Sequence, residues 1–151
     1  MSATTPQVPA ATRTFTQLLS STRRGARLAR LLTTERCRAW EAPAGVTEHA
    51  EQVVAELAAN AALHGRVQGR DFRLTLTFDR TADRLHIAVT DARADLLPTV
   101  PAEAAAEEAE SGRGLLIVAA LADDWGTESY PPSGKTVWAV IGPRGGRHRP
   151  G

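Results

Sequence analysis

Two stretches of alternating residues, 71–79 and 84–91, constrain the fold of this chain most strongly. Every second residue in both is large and apolar: Phe72, Leu74, Leu76 and Phe78 in the first, and Leu85, Ile87 and Val89 in the second. A period of two is typical of a strand with one buried face. Because only the short turn RTAD separates them, the two stretches predict an antiparallel hairpin. Its apolar face needs a second layer to cover it.

The rest of the chain supplies more strands and that second layer. Residues 13–19 predict a first strand. A first helix, capped by Ser20, Ser21 or Thr22, should run to about Trp40, where residues 41–45 break it. Thr47 should start a second helix that stops at Gly65. The later elements are a long loop over 96–114, a buried helix over 115–124 and a strand pair over 125–130 and 135–142.

These elements predict an α+β fold: a two-layer sandwich of a mixed, mainly antiparallel sheet with about three helices on one face. Residues 13–141 form one domain in this interpretation. Residues 1–12 and 142–151 are predicted to be disordered tails, because neither has an apolar period.

Composition narrows the function classes. The chain has 151 residues, 42% hydrophobic and 23% charged, with a net charge of +1. Such a balance gives no global field for nucleic acid or a membrane surface. Cys37 is the only cysteine, and no apolar run is long enough to span a bilayer. A cytoplasmic protein is the expectation.

The second helix carries polar residues in an unusual position. Glu56, Asn60 and His64 stand at i, i+4 and i+8, on the same arc as Val53 and Leu57. The far side is predicted to hold Ala55, Ala58, Ala59 and Ala62. Internal hydrogen bonding, an arc open to solvent, or a ligand would each satisfy the three polar groups. The chemical types of these side chains favour a bound ligand, since an amide oxygen can bind Mg²⁺ and a nearby carboxylate can act as a base.

The sequence of this second helix resembles that of a known protein family. The stretch ELAANAALHG resembles the N box of the GHKL ATPase superfamily, which includes gyrase, heat-shock chaperones, histidine kinases and mismatch-repair ATPases. It is most similar to the small anti-sigma-factor serine kinases of bacteria. The similarity continues through three further boxes and covers about residues 13–141: VTD at 89–91, SGRGLLIVAALADDWG at 111–126 and GKTVWAVI at 134–141. It implies the Bergerat ATP-binding fold, with ATP and Mg²⁺ as cofactors.

The resemblance also implies roles for individual residues. Glu56 would deprotonate a substrate serine, Asn60 would hold Mg²⁺, and His64 would either contact phosphate or pack. Asp91 would bind the adenine amino group, and the hydroxyl of Thr136 would reach the nucleotide. Phosphate would meet the start of the helix at 115–124, which glycines allow the backbone to approach. The residues that would bind phosphate there are Gly112, Arg113, Gly114 and Leu115. The side chain of Leu115 is expected in the core, with Ile117, Val118 and Leu121.

One box departs from the family pattern. The adenine box usually continues as D-x-G-x-G, whereas residues 91–95 read DARAD. Two functions therefore stay open. The chain is either a kinase that phosphorylates an anti-anti-sigma antagonist and sequesters a sigma factor, or a regulator that binds without catalysis. A metal or nucleic-acid protein using the arginines and His49, His64 and His86 is disfavoured, because the histidines show no ligand spacing and the basic stripe is short.

The first helix offers a surface for such partners. Four arginines lie within an arc of about 80°: Arg23, Arg27, Arg30 and Arg38. The adjoining stripe is Leu28, Leu31 and Leu32, which predicts a solvated face beside a core face. The alternative is that the basic face docks an acidic protein surface. The resemblance adds a homodimer as a further expectation.

Overall fold

A computed structural model describes residues 11–64, 71–91, 113–130 and 134–143. The strands are β1 (Thr12–Ser20), β2 (Asp71–Asp79), β3 (Arg84–Asp91), β4 (Asp124–Tyr130) and β5 (Gly134–Ile141). The helices are α1 (Arg23–Ala39), α2 (Ala44–His64) and α3 over residues 113–121. The predicted tails and the loop over 96–114 lie outside the described residues except at their ends. None of the helices in the described ranges is both long and apolar enough to cross a membrane.

The strands form one sheet in the order β1-β2-β3-β5-β4, and all four pairings are antiparallel. The predicted hairpin is confirmed as β2 and β3, with Leu76 opposite Ile87. Because β5 returns beside β3, β4 becomes an edge strand and β1 forms the other edge. The predicted fold class is confirmed: a two-layer α+β sandwich.

The helices cover one face of this sheet. The large apolar residues of β2 and β3 are at most 2% exposed, and they form one core with Val53 and Leu57 of α2 and Val118 of α3. The intervening residues of the strands face away from the helices. On that side His86 stacks on Trp138, with ring centroids 5.9 Å apart.

Helix α1 packs through small residues. Thr22 is its N-cap, and the Thr22 hydroxyl accepts a hydrogen bond from the Gly25 amide at 3.0 Å. The buried face repeats every four residues: Gly25, Ala29, Thr33 and Cys37. A side chain at Gly25 would collide with the backbone of Ser20, so glycine lets the helix start directly against the end of β1.

This packing overturns the predicted core stripe of α1. Leu28 is 41% exposed and Leu31 is 58% exposed, whereas Leu32 is partly buried against the core. The reason is that the small residues set the rotation of the helix. They turn the leucines toward the side that carries Arg27 and Arg38, which are also exposed.

Helix α2 begins three residues before the predicted start at Thr47. The Thr47 amide donates to the Pro43 carbonyl at 3.0 Å, so Pro43 stands directly before the first turn. The buried arc is also rotated from the predicted one, because Ala58 and Ala61 lie in the core beside Val54. The placement of Ala58 on the far side is therefore wrong. Glu56 and Asn60 lie at the margin of the buried arc, each half-buried.

Helix α3 ends at residue 121, three residues earlier than predicted. Some of its apolar residues are buried and others are exposed. Val118 is fully buried, and Leu115 and Leu121 pack partly against the core. Ile117 was expected in the core, but it is 39% exposed, and Leu116 is 70% exposed. Only one side of this short helix contacts the rest of the sandwich, so the outer side is left to solvent.

Candidate functional site

The candidate site forms where the outer margin of α2 meets the first turn of α3. A Cβ placed on Gly114 would lie 2.9 Å from Oε1 of Glu56 and 3.8 Å from Nδ2 of Asn60. Glu56 and Asn60 are one helical turn apart, so both reach the same point on α3. The structure therefore brings together three of the predicted residues from two separate boxes.

Glycine at position 114 is what keeps this space open. Gly114 is buried, and only the absence of a Cβ leaves room for the Glu56 carboxylate beside the α3 backbone. The first amides of a helix have no intrahelical acceptor, and they point outward from its N-terminus. A helix start next to two polar side chains can therefore receive an anion such as a phosphate group.

The side chains of Glu56 and Asn60 make no hydrogen bond to any other residue that the structure describes. By contrast, the buried Thr33 on α1 bonds to the Ala29 carbonyl at 2.8 Å. Internal hydrogen bonding was one explanation for the polar arc of α2, and the described residues do not provide it. The half-buried carboxylate and amide are thus free, within the described residues, to contact a ligand.

The donor set fits a magnesium nucleotide. Mg²⁺ prefers oxygen ligands and keeps several waters, so it is commonly held by one or two protein oxygens together with phosphates. The Asn60 amide can supply one such oxygen. A bound cation would also offset the repulsion between a phosphate group and the nearby Glu56 carboxylate.

Asp91 lies on the same side of the sheet as this site. It is the last residue of β3, it is 8% exposed, and it alternates in phase with the buried Ile87 and Val89. These neighbours face the helices, so the Asp91 carboxylate lies in the layer between sheet and helices. A buried carboxylate at a strand end can accept a hydrogen bond from a ligand amino group.

Thr136 is not brought together with these residues. Its Oγ1 lies 2.7 Å from Oγ1 of Thr90, its cross-strand partner. Thr90 precedes Asp91, so its side chain points to the opposite face of the sheet. The hydroxyl of Thr136 therefore lies on the face away from α2 and α3.

Lys135, and not Thr136, lies on the face of the sheet that carries Asp91. It stands directly opposite Asp91 in the β3–β5 register, and opposite residues project to the same face. Lys135 is exposed, so its ammonium group is accessible to a ligand on this face. From the sequence alone Lys135 is as readily a plain surface residue, although its face could have been obtained by counting outward from the alternating apolar positions.

The other predicted site residues do not join this arrangement in the part of the chain that the structure describes. Arg113 is exposed at the start of α3, and the side chain of Leu115 packs partly against the core. Gly112 and the side chain of His64 lie outside the described residues, as do residues 92–95. The described histidines His49 and His86 are on α2 and on the helix-free face of the sheet, so they are not brought together.

Comparison with known proteins finds a family model that matches the chain. The model of the family described as "Histidine kinase-like ATPase domain" matches residues 19–141. The match spans most of the chain and includes every strand and helix that the structure describes, except part of β1. No curated protein matches the chain.

Proposed function

Because the chain belongs to the histidine kinase-like ATPase domain family, we propose that it is an ATP-dependent serine kinase that regulates a transcription factor. The observation that carries this proposal is the convergence of Glu56, Asn60 and Gly114 at the first turn of α3. It places a carboxylate, an amide and helix amides around one space. ATP would bind there with its adenine toward Asp91.

Each residue has a distinct role in the proposal. The Asn60 amide oxygen would hold Mg²⁺, which would neutralise charge on the phosphates. The amides of the first turn of α3 would bind the phosphate oxygens and orient them. Glu56 would stay off the metal, so its carboxylate could accept the proton of an attacking serine hydroxyl.

The exposed face of α1 supports a protein partner. Leu31 is 58% exposed, and exposed arginines on the same face surround it: Arg24, Arg27 and Arg38. An exposed leucine among arginines is typical of an interface that receives an acidic protein surface. The proposed partners are a sigma factor and its anti-anti-sigma antagonist. They would be bound in the bacterial cytoplasm by one copy of the chain or by a homodimer.

A second candidate is a regulator of the same fold that binds its partner without catalysis. Arg93 and Asp95 favour it, because they stand where the family has glycines that let the backbone approach adenine. The two candidates share the partner surface on α1. They differ in whether Glu56 acts on an acceptor hydroxyl.

Two variants of α2 test the proposal. Asn60→Ala should abolish Mg-ATP binding in calorimetry without loss of the fold, because it removes the metal ligand. Glu56→Gln should bind Mg-ATP but should transfer no label from ATP to serine when candidate antagonists from the same genome are added. Glu128→Gln is the matched control for the loss of a carboxylate, because Glu128 is exposed on β4 and stands opposite Thr136 on the face of the sheet away from the helices.

The results separate the candidates. Transfer by the wild-type protein that Glu56→Gln abolishes supports the kinase. Mg-ATP binding without transfer to any antagonist that forms a complex with the protein indicates the binding-only regulator. An Asn60→Ala variant with wild-type nucleotide affinity would contradict the magnesium role.

A further inference from the structure

A groove runs over α2 from the candidate base toward the start of the helix. Its volume is about 320 Å³, and it lies between α1 and α2. One lining residue, Arg30, comes from α1, and the others come from α2: Glu48, Glu51, Gln52, Ala55 and Glu56. Glu56 therefore borders two spaces, with Gly114 on one side and this groove on the other.

A general base must touch the hydroxyl that it deprotonates, at a heavy-atom distance of roughly 3 Å. The acceptor must then approach through a space that Glu56 lines. The side of Glu56 that faces α3 is assigned to phosphate. We infer that the α1–α2 groove binds the acceptor polypeptide, with its serine at Glu56 and the chain extended along α2 toward Glu48. This inference rests on the proposed kinase function.

The length of the groove sets which acceptor residues it contacts. Glu48 and Glu56 are two turns apart on α2, a rise of about 12 Å at 1.5 Å per residue. An extended chain covers that distance in about three or four residues, at roughly 3.3 Å each. The acceptor residue three or four positions from the serine therefore lies at Glu48.

The charges that line the groove specify the type of that residue. Arg30 is paired with Glu51, with its Nε 3.0 Å from Oε2, and this pair joins the two walls. Glu48 is exposed and has no ion-pair partner among the described residues. Three glutamates against one arginine leave the lining with a net charge of −2. The acceptor therefore carries an arginine or lysine three or four residues from its serine.

The test uses fluorescein-labelled peptides of eleven residues with a central serine. One peptide has arginines three and four positions away on both sides, and the other has glutamates there. Fluorescence anisotropy should show that the full-length protein binds the arginine peptide at least about fivefold more tightly, as expected for a few partly exposed charge pairs. Glu48→Lys should abolish this preference, and Glu48→Gln should reduce it. Glu128→Lys, which changes an exposed carboxylate outside the groove and on the other face of the sheet, should retain it.

Calorimetry with Mg-ATP on the same wild-type protein keeps this inference separate from the proposed function. If Mg-ATP does not bind, the proposed function fails, and the kinase on which the inference rests fails with it. If Mg-ATP binds, equal affinity for the two peptides would overturn the inference about the groove and leave the proposed function in place. An equal loss of preference in folded Glu48→Lys and Glu128→Lys would overturn the groove as well. A preference that depends on Glu48 supports the groove.

Discussion

Gly114 offers the sharpest test of the site, because a single methyl group added there would meet the candidate base. In Gly114→Ala the new Cβ would lie 2.9 Å from Oε1 of Glu56, whereas ordinary contact begins at 3.4 Å. The carboxylate must therefore move by about half an ångström. It is the end of a flexible side chain, so it can turn away without disturbing the core.

The expected loss of rate follows from this displacement of the carboxylate. A misplacement of about 1 Å can cost roughly 100-fold in rate, so half of that should cost about tenfold. Alanine is at the same time a better helix former than glycine by up to about 1 kcal/mol. The melting temperature should therefore stay the same or rise by roughly 2–4 °C while turnover falls.

The assay compares Gly114→Ala with Gly45→Ala. Gly45 is in the first turn of α2, and a Cβ there would meet nothing within 4 Å. Thermal unfolding and Mg-dependent phosphate transfer from ATP are measured for both. Wild-type transfer by Gly114→Ala would refute the reasoning, and so would an equal loss of transfer in Gly45→Ala.

Three further variants test the core, a buried thiol and the sheet register. Leu57 is 2% exposed in the core, so Leu57→Ala should lower the free energy of unfolding by about 2–5 kcal/mol in urea denaturation. Burial raises the pKa of Cys37 from 9.0 to about 11, and a hydrogen bond with Thr47 lowers it by less. The folded state therefore favours the protonated thiol. The stabilisation from the protonated thiol is complete below pH 9 and is lost as the pH rises toward 11. The free energy of unfolding should fall by up to about 1.4 kcal/mol per pH unit in this range. Denaturation of the wild type and of Cys37→Ala between pH 9 and 11 should show this fall in the wild type alone. Lys135→Met should weaken Mg-ATP binding in calorimetry more than Thr136→Val, because only Lys135 faces the side of Asp91. The reverse order would show that the register has been misinterpreted.

The hairpin shows what local pattern can predict. Alternation in β2 and β3 is decided by which side of each strand is buried, and a slip by one residue would expose the whole apolar set. The sequence therefore predicted both strands, their pairing and the face that the helices cover. Glu56 and Asn60 were likewise predicted as neighbours, because their spacing places them one turn apart on any α-helix.

The α1 leucines show where the pattern misleads. A stripe of leucine suggested the core face, but the helix packs on Gly25, Ala29, Thr33 and Cys37. Small residues allow the backbone to approach closely, and close packing can outweigh the larger apolar area of a leucine that cannot fit. Hydrophobicity alone does not report this fit. The same limitation applies to the exposed Ile117 and Leu116 of α3.

The sequence by itself determined the strands, the helices and the polar arc of α2, because each depends on residues within a few positions of one another. Only the tertiary structure decided that Gly114 lies against Glu56, that Lys135 rather than Thr136 faces the side of Asp91, and that Glu56 also borders a groove beside Arg30. These relations join residues far apart in the chain. They depend on the rotation of each helix and the register of each strand, which are settled only when the layers pack together.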